Sequence, residues 1–149
     1  MSSTDLAEYE RLVAADQGLC VFVTTRADGG AQASVVNAGV VDHPLTGQRA
    51  VALVARGGSV KLANLRRTPR ATATAKSGWQ WVTVEGPAVV VGPDDPHPDF
   101  GPEELRLLLR ELFTAAGGTH DDWDEYDRVM VGDRRAAVFV DPARVYSNG

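Results

Sequence analysis

The sequence predicts a mainly β, α+β fold, an antiparallel barrel with helices at its periphery. Two observations predict it. Six or seven short apolar stretches are joined by hairpin signals or by a short helix, and no regular strand–helix alternation runs through the chain, as a parallel sheet requires. The 149 residues, 44% hydrophobic and 23% charged, suit one compact domain spanning 1–149.

The elements follow in order. Ser3 or Thr4 can cap a first helix that runs to about Asp16, carries Leu6, Tyr9 and Val13 on one face and stops at Gly18. Leu19 to Thr25 is a strand with so little alternation that burial on both faces is expected. Ala27-Asp28-Gly29-Gly30 reads as a hairpin turn with its glycines at positive φ. The return strand, Ala31 to Val41, carries Gln32, Ser34 and Asn37; in an interior strand these need partners from backbone, side chain or ligand.

After the loop Asp42 to Gly47, Arg49 to Ala55 is a third strand. Gly57-Gly58 turns tightly, Ser59 is a suitable N-cap, and Val60 to Arg67 is a short helix ended by Pro69. Arg70 to Ala75 alternates as a strand, and Ser77-Gly78 turns into a long strand, Trp79 to Val91, with a bulge or edge expected near Gly86-Pro87. Trp79 and Trp81 share a face, which suits core, interface or a stacking surface for a planar ligand.

Gly92 to Asp99 is a rigid acidic loop; its Asp and His residues lack any metal-ligand spacing, so no metal site is expected. Pro102 opens an amphipathic helix with Leu105, Leu108, Leu109, Leu112, Phe113 and Ala116 on one face, stopped by Gly117-Gly118. Thr119 to Asp122 opens another, to about Val131, with Trp123, Tyr126 and Met130 inward and its acids in the first turn. Asp133-Arg134-Arg135 leads into a strand, Ala136 to Val140, and then to Asp141 through Tyr146; the two arginines suit ion pairs with nearby acids.

Composition narrows the function. The lone Cys20, inside an apolar run, excludes an internal disulfide and reads as a buried thiol. No apolar run approaches the roughly 20 residues of a membrane span. The N-terminus has neither a basic nor an apolar segment of a secretory signal, so the expected location is the cytoplasm. A net charge of −5 argues against nucleic acid as a partner.

The charge is unevenly placed. From His43 to Val84 there is no Asp or Glu, yet seven of the fifteen basic residues lie there. An acidic chain that gathers positive charge in one window suits an anion site, or else a solvated basic helix. The helix starting at Val60 supplies free N–H groups and the positive end of its dipole, Lys61 adds an ammonium, and Asn64 lies three residues on. There is no Walker A motif, no G-x-G-x-x-G, no zinc framework and no G-x-S-x-G, and His43, His97 and His120 have no evident Ser or Cys partner. A phosphate cradle without a protein nucleophile suggests that a bound cofactor carries the chemistry.

Several segments together resemble a known family, the flavin- and deazaflavin-binding split β-barrel proteins related to pyridoxamine 5′-phosphate oxidase, and within it the actinobacterial branch that uses coenzyme F420. They are Lys61-Leu-Ala-Asn64-Leu65-Arg66-Arg67-Thr-Pro69-Arg70, Gly78-Trp79 with Glu85-Gly86-Pro-Ala88, His120-Asp-Asp-Trp123-Asp-Glu-Tyr126, Asp133-Arg134-Arg135, and Arg144-Val145-Tyr146. The resemblance implies an FMN-binding split-barrel fold and a homodimer with a cofactor in each cleft between subunits. It also implies a phosphate held around Ser59, Lys61 and Asn64, with Arg56 close by. The ring system would lie along Gln32, Ser34 and Asn37, with Trp79 near the pocket, on either the same or the other subunit.

The FMN oxidases carry an Arg-x-Val-Leu-Leu-Lys strand, whereas Arg49-Ala-Val51-Ala-Leu53-Val54 keeps the Arg and ends in Val. That departure favours F420 over FMN. The expected function is hydride transfer from reduced deazaflavin to an unsaturated or conjugated small-molecule substrate, with solvent or a hydroxyl such as Ser34 or Tyr126 as proton source. The alternatives are an FMN-dependent oxidoreductase, a deazaflavin carrier without turnover, and a basic surface for an acidic partner.

Overall fold

The computed structural model describes residues 3–148, with side chains from Leu6 onward, so the cap expected at Ser3 or Thr4 lies outside the described side chains. Helix α1 (Ser3–Ala15) precedes a hairpin of β1 (Leu19–Thr25) and β2 (Ala31–Asn37). In its turn the Arg26 N–H donates to the Gly30 carbonyl and Asp28 Oδ1 accepts from the Gly30 N–H. Only Gly29 of the two glycines takes positive φ, at 87°.

The stretch expected to be one strand, Ala31 to Val41, is two. Pairing of β2 with β1 ends at Leu19 opposite Asn37, and the Ala38 N–H then donates to the Gly18 carbonyl. From Gly39 the chain forms β3 (Gly39–Asp42), which pairs with β4 (Arg49–Ala55). A Cβ on Gly39 would lie 2.4 Å from the Ala115 carbonyl oxygen, so backbone packs directly on backbone there.

After β4 come α2 (Val60–Arg67), β5 (Arg70–Ser77), β6 (Gln80–Val91), α3 (Pro102–Ala115), α4 (Trp123–Gly132), β7 (Ala136–Val140) and β8 (Arg144–Ser147). The strand β8 was not expected as a separate element. All strand pairings are antiparallel, in the order β2-β1-β5-β6-β7-β4-β3, with β8 against β6. The strands at the two ends of that order are joined through Ala38 alone, which curls the sheet into a barrel.

Strand β6 is unbroken at Gly86-Pro87, where a bulge or an edge was expected. The strand instead changes partners there: pairing with β5 ends at Pro87 and pairing with β7 begins at Ala88. Proline, with no N–H to give a ladder, sits at the handover, and its carbonyl accepts from the Asp141 N–H at 2.9 Å.

One apolar cluster fills the barrel, with Phe22, Leu53, Ala73, Val84 and Val138 from the sheet, Tyr9 and Leu12 from α1, and Leu62 and Leu65 from α2. Outside, α3 and α4 cover β4 and β7, where Ala52, Ala137 and Phe139 meet Leu108, Leu109, Leu112 and Tyr126. Strand β7 is therefore buried at every position. Each large side chain so placed contributes about 1.5–3 kcal/mol.

Among the described residues no helix covers the β1–β2 side in this way. Cys20, Phe22 and Thr24 point inward, but Val21 is exposed, so β1 alternates rather than being buried on both faces. Among the described residues no helix is long and apolar enough to cross a membrane.

The β6 handover gives a direct test. A Cβ on Gly86 would lie 2.0 Å from the Asp141 carbonyl oxygen, a backbone atom that cannot swing away. Gly86→Ala is expected to lose about 1–3 kcal/mol, the usual cost of overpacking, read as a lower urea midpoint. An unchanged midpoint would show that β6 and the β7–β8 connection have room to part.

Candidate functional site

An open cavity of about 480 Å³ lies where the ends of β2 and β4 meet the start of α2 and the flanks of α3 and α4. Asn37, Arg56, Ser59 and Lys61 all line it, with Val54, Phe113, Tyr126, Met130 and Arg135 among the other walls. Local backbone explains the convergence. The Gly57 N–H donates to the Asp133 carbonyl at 3.0 Å, and a Cβ there would lie 2.5 Å from the Arg134 carbonyl oxygen. Only glycine lets the loop press this closely on the connection after α4. Gly58 then takes φ 77° and turns the chain into α2.

Ser59 occupies the N-cap position in extended conformation, φ −71° and ψ 154°. Its side chain makes no cap hydrogen bond, contrary to the sequence expectation. The hydroxyl oxygen is buried and has no partner among the described residues. An unpaired buried hydroxyl costs free energy unless something else satisfies it. It stands beside the first-turn N–H groups of α2, which have no acceptor within their own helix.

The acid-free window divides in two. Arg49 pairs with Glu10 and Asp42, Arg66 pairs with Asp95, and Arg67 donates to the Thr25 carbonyl and to Asn64 Oδ1. Arg56, Lys61, Arg70 and Lys76 have no such partner among the described residues. Of those four, Arg56 and Lys61 line the cavity. Arg134 and Arg135 are in ion pairs, as expected, Arg135 with the neighbouring Asp133 and Arg134 with Asp94 from a remote part of the chain. The acidic connection between β6 and α3 therefore neutralises bases at the periphery and leaves the two at the cavity uncompensated.

The remaining sequence-nominated residues lie at varying distances from this cluster. Gln32 and Ser34 share a face of β2 with Val36, which lines the cavity. Strand β2 stands at an end of the sheet order, so these residues are not in an interior strand. Gln32 Oε1 accepts from the Thr24 hydroxyl at 3.1 Å, whereas the Ser34 hydroxyl is buried and has no partner among the described residues. Asn37 donates to the Gln17 carbonyl at 3.0 Å.

Asn64 is only 4% exposed and faces inward. Its Nδ2 donates to the Thr24 hydroxyl and its Oδ1 accepts from Arg67, so it ties α2 to β1 rather than lining the cavity. Trp79 is in the β5–β6 turn, 93% exposed and away from the cavity lining. Trp81 packs edge-on to Tyr146. His43, expected in a loop, is buried against Phe139, and burial lowers its pKa.

Tyr126 and Met130 read from sequence as core residues of α4. They are that, and they also front the cavity. The Tyr126 hydroxyl donates to the Leu109 carbonyl at 2.8 Å within a cluster of Phe113, His120 and Trp123 rings. Burial pushes its pKa up to about 12, with Asp127 adding to the rise and Arg135 opposing it.

Solved structures with this architecture are known. The fold is the split β-barrel. A conserved hypothetical protein from Mycobacterium tuberculosis aligns with TM-score 0.67 and 22% identity over 99% of this chain and 84% of its own. A pyridoxamine 5′-phosphate oxidase-related, FMN-binding protein from Nostoc punctiforme aligns with TM-score 0.65 and 13% identity over 99% and 86% of the two chains. An F420 reductase aligns with TM-score 0.62 and 15% identity over 93% and 95%. Heme-binding and heme-storage proteins share the split-barrel fold too. No family model matches this chain.

The Tyr126 environment predicts a pH dependence. Because folding favours the neutral phenol, its contribution is full below the unfolded value near 10 and is lost as pH rises toward about 12. Tyr126→Phe is therefore expected to lose less stability than the wild type between pH 10 and 12, measured by urea midpoints. Parallel losses in the two proteins would show that the hydroxyl environment does not govern the alkaline limb.

Proposed function

We propose that this chain is a member of the pyridoxamine 5′-phosphate oxidase-related family and binds a phosphate-bearing flavin-type coenzyme, F420 in preference to FMN. It acts as an oxidoreductase on an unsaturated or conjugated small molecule. One observation carries the reading: two uncompensated bases, Arg56 and Lys61, share a cavity with the buried, unpaired Ser59 hydroxyl at a helix N-terminus. The split-barrel fold, shared with an F420 reductase and an FMN-binding protein, supports it.

The residues present fit such a coenzyme. Lys61 and Arg56 would neutralise its phosphate, the first-turn N–H groups of α2 would donate to the phosphoryl oxygens, and the Ser59 hydroxyl would gain the partner it lacks. Val54 lines the cavity and offers no cation, which favours F420 over FMN at this position. Leu112, Phe113 and Met130 make an apolar wall that excludes water. When bound, the reduced deazaflavin supplies a hydride. Tyr126 commits its proton to the Leu109 carbonyl and holds it at neutral pH, so it is a poor acid. Ser34, on the same β2 face as the cavity-lining Val36, keeps a hydroxyl with no partner among the described residues.

The test is titration of the protein with F420 and FMN side by side, followed by reoxidation of bound reduced F420 with enones, quinones and tetrapyrroles. Lys61→Ala is expected to weaken coenzyme binding by about 1.5–3 kcal/mol, the worth of a charge-assisted hydrogen bond. Unchanged affinity would remove Lys61 from the site. Binding without faster reoxidation by any acceptor would make the protein a carrier.

The bare face of the β1–β2 hairpin supports a homodimer. Val35 is 65% exposed and Val21 lies across the hairpin from it, directly paired. Two copies joined through this face form a homodimer with the coenzyme clefts between subunits, and the exposed Trp79 is then available to the partner's pocket. Val35→Asp, a charge on that face, is expected to shift sedimentation toward the monomer and weaken coenzyme binding. A variant that sediments as the wild type does would sink this assembly.

A further inference from the structure

A second cavity, of about 300 Å³, lies between α3, α4 and the 92–101 connection, and it shares Met130 and Arg135 with the first. Its walls are Pro93, Pro96, Phe100, Leu105 and Leu109, and Val131 stands at its mouth, 76% exposed. We propose that this space is a binding site for a neutral, compact, apolar molecule of about two fused rings. The inference does not depend on the coenzyme reading.

Three observations carry it. The first is size: an apolar protein cavity of roughly 150 Å³ accepts benzene, and this one is twice as large. The second is charge. Every charged side chain on the lining already faces an opposite charge, Arg106 with Asp127, Arg134 with Asp94, and Arg135 with Asp133. An ionic ligand would have to strip one of these pairs, whereas a neutral one leaves them intact. The third is rigidity. Gly92 pairs with Asp95 and His97 with Phe100 across the connection, while Arg66 holds Asp95 and Arg134 holds Asp94. With prolines fixing the backbone between these ties, the walls stand without a ligand, and little ordering entropy opposes binding.

The test uses 2-naphthol, followed by its own fluorescence, with 2-naphthoate as the charged counterpart. Saturable one-to-one binding of 2-naphthol is expected, with 2-naphthoate weaker by about tenfold or more. Val131→Trp, which crowds the mouth from an exposed position, is expected to weaken 2-naphthol by about tenfold or more and to leave FMN titration unchanged. Leu105→Phe fills the space from another wall and reads the same loss should the tryptophan variant fail to fold. Lys61→Ala is expected to bind 2-naphthol as the wild type does. The proposal is overturned by absence of saturable binding, by equal affinity for the two probes, by wild-type affinity in folded Val131→Trp, or by loss of 2-naphthol in Lys61→Ala.

Discussion

The contact between Gly57 and the connection after α4 is the constraint on which the site depends. Here the loop lies so close to Asp133 and Arg134 that a single added carbon would collide with backbone and side chain alike. That closeness brings the start of α2 against the far end of α4, two elements more than fifty residues apart in sequence. Arg56, Ser59 and Lys61 flank this point, and Met130 and Arg135 flank its partner, so one approach of two backbones assembles most of the cavity. The interior helps hold it: Leu62 and Leu65 anchor α2 in the barrel, and Asn64 ties it to β1 through Thr24.

Electrostatics completes what geometry begins. The chain is acidic overall, and several of its acids outside the basic window take up bases around the cavity. Asp95 holds Arg66, Glu10 and Asp42 hold Arg49, and Asp94 and Asp133 hold the two arginines that precede β7. Arg56 and Lys61 keep their charge for something else. Such local compensation is how a protein of net negative charge presents a positive site. The α3–α4 side follows the same pattern to the opposite end, since every charge near the second cavity is matched and the space is apolar.

Much of this was legible beforehand, for identifiable reasons. The helix α2 begins and ends where Gly57-Gly58-Ser59 and Pro69 place it, because backbone preferences there are strong and local. The leucine spacing of α3 announced its buried face. Failures came where a residue's role depends on what is packed against it. Asn64 shares a helix with Lys61 but turns into the interior, where Thr24 and Arg67 claim its amide. Ser59 is at the N-cap position, yet its hydroxyl does not cap. Residues 31–41 form two strands, because Gly39 must meet the end of α3, which no local pattern encodes.

By itself the sequence determined most of the strand and helix segments, the antiparallel class and the concentration of positive charge ahead of Val84, since each follows from nearest-neighbour periodicity and composition. Tertiary structure alone decided which bases stay unpaired, which hydroxyls are buried without partners, and that α4 fronts two cavities while β1 and β2 keep a bare face. Those outcomes depend on distances between segments remote in the chain, and a pairing that costs nothing to write in sequence is settled only when packing brings one candidate partner within reach and excludes the rest.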